Sequence, residues 1–101
     1  MKIKQPPPTY NVIITHFGVV DMNIKQKLQV WKNENPIRKY RKDSGLSQPD
    51  IAAIIGVSTY TVQRWEDGAV NPSGDNVTKL NELIDGFSDQ WSKWKKGKPG
   101  L

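Results

Sequence analysis

The sequence predicts a mainly α-helical protein: a small bundle of four to five helices, with an added N-terminal helix, a long C-terminal helix and one short N-terminal strand. Three observations carry this. Apolar residues recur at helical spacing through most of the chain. A stretch from Ser47 to Gly68, SQPDIAAIIGVSTYTVQRWEDG, reads as two short helices joined by a tight turn. And 101 residues suffice for one modest core of four or five helices.

The Ser47–Gly68 stretch organises the rest. Ser47 is placed to cap the first of its helices, which opens at Gln48 and turns Ile51, Ala52 and Ile55 inward. Gly56 supplies the turn, because glycine reaches positive φ without steric cost. Ser58 caps the second helix by accepting from the unpaired amides of its first turn. Val62 and Trp65, three apart, face the core. Thr59, Tyr60, Gln63 and Arg64 point outward, a polar set suited to reading base edges.

Composition narrows the function classes. Cysteine is absent, which removes disulfides, thiolate metal sites and thiol nucleophiles and suits a cytoplasmic setting. No apolar run approaches the ~18 residues of a membrane span, and Pro6, Pro7 and Pro8 interrupt any signal-peptide pattern. The formal net charge of +5 favours a polyanionic partner, nucleic acid first. That charge is spread along the chain: residues 35–72 carry 5 Lys/Arg against 4 acids. Nucleic-acid binding by the central unit must therefore rest on where its groups sit.

In chain order, residues 1–22 form an arm. Its proline run favours extended geometry, and Tyr10 to Phe17 (YNVIITHF) reads as a short strand, free to pair with a second copy, join another protein's sheet or lie across the helices. His16, the lone histidine, reads as structural. Residues 23–34 form an extra helix capped by Asn23, with Ile24, Leu28 and Trp31 on one face and Lys25, Lys27 and Lys32 in water. Residues 35–85 hold the central unit. Pro36 opens a helix running to about Ser44, which buries Ile37 and Tyr40 and stops at Gly45; Leu46 plugs the core. After Gly68, Asn71 or Ser73 caps a long helix from about Gly74 to Lys95. Val77, Leu80, Ile84, Phe87, Trp91 and Trp94 form its apolar stripe at spacings of 3 and 4. Gly86 is the flaw in it, a site for a kink or a break. Residues 86–101 are a C-terminal helical extension with a basic tail.

Catalysis finds no support. There is no phosphate-binding glycine loop, no paired-histidine zinc motif and no nucleophile–base pair. No catalytic residue, metal ligand or cofactor is assigned. Asp43, Asp50, Glu66 and Asp67 read as helix-end and surface charges.

The central motifs resemble the lambda-repressor-like, or Xre-type, helix-turn-helix family over about Asn35 to Ile84. Arg41-Lys42-x-x-Gly45-Leu46-Ser47-Gln48 matches the family's lead into its second helix. Ile51-Ala52-x-x-Ile55-Gly56-Val57-Ser58 matches its turn, and Val62-x-x-Trp65-Glu66-x-Gly68 the end of its recognition helix. Pro49 departs from the commonest pattern, in a first turn where proline is tolerated. Residues 1–34 and 87–101 carry no such match. The resemblance implies a sequence-specific regulator that binds double-stranded DNA as a homodimer on a palindromic site. It implies base-edge contacts from Thr59, Tyr60 and Arg64, with Gln63 a less regular contributor. It implies phosphate contacts from Gln48, Ser58, Thr61 and Asn71, and a structural salt bridge between Arg41 and Glu66.

The flanks leave two arrangements open. Ile24, Leu28 and Trp31 on one side, and Phe87, Trp91 and Trp94 on the other, either pack on each other within the chain or form a dimer interface. A second function follows from the same segments: an antitoxin whose residues 1–34 or 87–101 bind a protein partner, with DNA binding serving autoregulation.

Overall fold

The computed structural model describes residues 22–100. Among them are six helices and no strand: α1 (Ile24–Asn33), α2 (Pro36–Asp43), α3 (Gln48–Ile55), α4 (Thr59–Glu66), α5 (Asp75–Leu83) and α6 (Phe87–Lys96). The strand expected at Tyr10 to Phe17 lies outside the described residues.

Local chemistry sets most helix starts. Asn23 caps α1 in a reciprocal box with Gln26. Asn35 caps α2 by accepting from the amides of Ile37 and Arg38 at 2.9 and 3.1 Å, with Pro36 at the first position. Ser47 and Asp50 form a second capping box on α3. The Ser47 backbone N–H and then its hydroxyl hold the Asp50 carboxyl below the ordinary carboxylate range. A lowered folded-state pKa means this contribution is present at neutral pH and is lost as the pH falls through that range. Ser58 caps α4 by accepting from the Thr61 amide.

The long C-terminal helix expected from Gly74 to Lys95 is instead two helices. Ile84 is extended (φ −121°, ψ 114°) and Gly86 takes the left-handed conformation at φ 67°. Only glycine adopts that conformation without strain, so the flaw in the stripe is a corner. Across it, Asn81 on α5 accepts from the Ser88 amide and donates to the Ser88 hydroxyl, so one side chain satisfies part of the first turn of α6. The expected cap on α5 also differs: neither Asn71 nor Ser73 provides it, and Gly74 stands at that position with no side-chain bond.

One core unites the six helices. Ile37, Ile51, Ile55, Val62, Trp65, Leu80, Ile84 and Phe87 are buried in it, and Trp31, Trp91 and Trp94 close its far end. Leu28, Tyr40 and Leu46 pack on its margin, while Ile24 is exposed. Asn35 is fully buried and also donates to the Trp65 carbonyl at 3.1 Å, tying the start of α2 to the last turn of α4.

The two flanks meet within the chain. Trp31 and Trp94 stack face to face, ring centroids 4.1 Å apart and planes within 4°. Each indole N–H donates to the other residue's backbone carbonyl at 2.7 Å. Both carbonyls lie in the last turn of their helices, where the i+4 amide bond is lost and the cap amides of Glu34 and Gly97 supply one bond each at 3.1 Å; the indole adds a second. Each tryptophan thus caps the other's helix. Trp31, Phe87, Trp91 and Trp94 are 8% exposed or less, so their apolar surface is spent inside one chain.

Gly68, just beyond α4, sits against this stack at φ 74°. A Cβ there would lie 2.5 Å from Cη2 of Trp31 and 3.1 Å from Cη2 of Trp94. Gly68→Ala is expected to cost about 1–2 kcal/mol for the left-handed backbone and a further ~1–3 kcal/mol for overpacking. Urea denaturation followed by circular dichroism measures it; an unchanged midpoint would contradict the packing described.

Candidate nucleic-acid interface

α3 and α4 form the two-helix unit, with Gly56 at φ 90° between them. α4 has a sharp division of faces. Val62, Trp65 and Glu66 are buried; Thr59, Tyr60 and Gln63 are exposed. Among the described residues, Tyr60 is the most exposed of the large apolar side chains, at 64%. Arg64, four residues on, donates from Nη1 to the Tyr60 hydroxyl at 3.2 Å, its guanidinium 5.5 Å from the ring centroid. The pair holds Arg64 along the outer face while leaving most of its five N–H donors open.

The buried side of α4 is fastened by Glu66, 2% exposed. Arg41 grips it with two bonds, Nε to Oε2 at 2.6 Å and Nη2 to Oε1 at 3.0 Å. Gln48 donates to the same Oε1 at 3.2 Å, and Arg38 stands 4.0 Å away. This cluster locks α2, α3 and α4 together at the end of the exposed face. A fork-shaped guanidinium on a carboxylate fixes orientation as well as charge.

The residues assigned to phosphate therefore have structural work as well. Gln48 spends one amide N–H on Glu66 and keeps the other. Ser58 and Thr61 bond to each other through their hydroxyls at 3.0 Å at the start of α4. Asn71, exposed after α4, accepts through Oδ1 from the Trp91 indole at 3.1 Å, which leaves its amide N–H groups free. Gln48, through Glu66, and Asn71, in the loop that follows, are both tied to the C-terminal end of α4, each with a donor to spare.

Three contributors were not legible in the sequence reading. Arg38 joins the Glu66 cluster. Lys79 donates to the Ile55 carbonyl at 3.1 Å and so closes the end of α3 beside the turn. Lys95 donates to the Gly68 carbonyl at 3.2 Å. A lysine four residues after Trp91, on the edge of the apolar stripe, was the available signal for the last.

A family model described as helix-turn-helix matches residues 37–89, just over half of the chain. The chain belongs to this family, the Xre-type helix-turn-helix proteins. Curated relatives named "Uncharacterized HTH-type transcriptional regulator YiaG", from Escherichia coli K12 and Escherichia coli O157:H7, are 42% identical over 48 residues, covering 48% of this chain and 49% of theirs. The chain thus spans about half the length of the curated relatives it matches. No solved structure gives a significant match. Among the described residues there is no cluster of acidic or histidine side chains able to hold a metal ion, and no helix long and apolar enough to cross a membrane.

Proposed function

We propose that the protein is a sequence-specific double-stranded DNA-binding transcriptional regulator of phage, plasmid or bacterial type, acting in the cytoplasm as a homodimer on a palindromic operator. The observation that carries this reading is the exposed polar face of α4, held from behind by a buried ion pair and two core side chains. A helix fits the ~12 Å major groove, and residues at its N-terminal half reach base edges first. Thr59 and Tyr60 occupy that half, and Gln63 and Arg64 follow about one turn further along the helix. Arg64 has the donor geometry for guanine O6 and N7, and the bond from its Nη1 to Tyr60 limits the freedom it must surrender on binding. Gln48, Ser58, Thr61 and Asn71 then set the register on phosphates.

The dimer, on this reading, uses surface outside the buried Trp31, Phe87, Trp91 and Trp94. The antitoxin reading gains nothing from the helical flanks, since those four side chains are enclosed within the chain. Regulation without catalysis or a cofactor is the consistent picture.

Arg64→Ala is expected to remove about 1–3 kcal/mol of discrimination between the preferred duplex and one changed at the contacted base pair. Gln48→Ala is expected to weaken both duplexes alike. Fluorescence anisotropy at one stated salt concentration reads both. Equal loss on the two duplexes for Arg64→Ala would count against base reading by that residue.

A further inference from the structure

The C-terminal end of α6 carries Lys93, Lys95, Lys96 and Lys98, and no acid follows Asp89. Among the described residues, the ion pairs involve only Glu66 with Arg38 and Arg41, so none of these four lysines is matched by a carboxylate. Two of them are held in place. The Lys95 ammonium bonds to the Gly68 carbonyl and lies 5.8 Å from the Trp94 ring centroid. The Lys98 ammonium lies 5.5 Å from that of Trp31. Gly68, Trp31 and Trp94 pack together at the exit from α4, and Trp91 holds Asn71 in the same loop.

Position follows from dimensions. α4 has eight residues, a length of about 12 Å, close to the width of the major groove. A chain leaving the end of a helix seated in that groove emerges at the groove wall, which is a line of phosphates. With α4 so seated, that wall would stand beside the loop after α4 and the lysines fastened to it.

We propose that the C-terminal end of α6 is a second DNA contact: Lys95 and Lys98, pinned beside the Gly68–Asn71 loop by the tryptophan stack, bind the phosphate backbone flanking the groove that α4 enters. This rests on the DNA reading given above. Lys95 uses one of its three N–H donors on Gly68 and offers the rest. The contact adds affinity and orientation and carries no sequence information.

The test is the salt dependence of binding to a fluorescein-labelled 30-bp duplex of random sequence, between 50 and 200 mM NaCl. Each neutralised phosphate contributes about 0.9 to the slope of log K against log salt. The double variant Lys95→Gln/Lys98→Gln should lower the slope by about 1–2. Lys95→Arg/Lys98→Arg should keep it, and Lys39→Gln, beside Leu83 and Asp85 on another face, should leave it unchanged. Circular dichroism confirms that each variant is folded at the assay temperature. A folded glutamine double variant with the wild-type slope would overturn the second contact while leaving the DNA reading intact. An equal fall for Lys39→Gln would overturn it too, by showing that only bulk charge matters. Wild-type protein with no salt-dependent binding would remove the DNA reading itself.

Discussion

Trp94→Ala is expected to destabilise the fold by about 3–5 kcal/mol, the range for emptying a buried aromatic site. The substitution removes the stack on Trp31, takes the N–H donor from the Trp31 carbonyl at the end of α1, and opens space beside Gly68. Three helices lose support at once. In a domain of this size each kcal/mol shifts the melting temperature by roughly 4–8 °C, so thermal denaturation followed by circular dichroism reads the effect easily. Trp94→Phe separates the contributions: it keeps an aromatic ring against Trp31 and loses the indole donor, at a net cost nearer ~1 kcal/mol for the bond. The loss in Trp94→Ala should not depend on protein concentration, because the contact is made within one chain. A loss that vanished on dilution would assign the stripe to an interface between copies.

Arg41→Ala is the second large effect, expected at about 3–5 kcal/mol, because it strands the buried carboxylate of Glu66. Gln48 and Arg38 cannot replace two short bonds from one guanidinium. The double variant Arg41→Ala/Glu66→Gln should recover a large part of that loss, since a neutral amide is far cheaper to leave buried than an unpaired charge. Urea denaturation of the four proteins completes the cycle. Additive losses would contradict a coupled pair. DNA binding should follow the same order, as the cluster is what sets the angle of α4 against α2 and α3.

The parts of the fold that follow from neighbouring residues were legible in the sequence. Ser47, Gly56 and Ser58 are local signals whose partners lie within a few positions, so the chemistry of a helix cap or a left-handed turn is written in the residues themselves. The Gly74–Lys95 stripe misled for a physical reason. Ile84 and Phe87 both point into the same core, so their spacing of three continues the pattern although the backbone turns a corner between them. Burial survived where helical continuity did not. What stayed illegible was pairing across distance: Trp31 with Trp94, Asn71 with Trp91, Lys95 with Gly68. No periodicity says which carbonyl an indole N–H will find 63 residues away. Of the candidate site, the outward set Thr59, Tyr60, Gln63 and Arg64 could be read from the spacing of Val62 and Trp65. The double duty of Gln48 and Asn71 could not.

The central claim is that the exposed face of α4 reads DNA sequence, and selection of bound duplexes from a random pool tests it most directly. At fixed salt, a palindrome whose half-sites are centred about 34–36 Å apart, or a multiple of that, is expected to be enriched, and Arg64→Ala is expected to lose that enrichment. A pool that remains random after repeated rounds, with folded protein retained on the duplexes through salt-sensitive contacts alone, would contradict it.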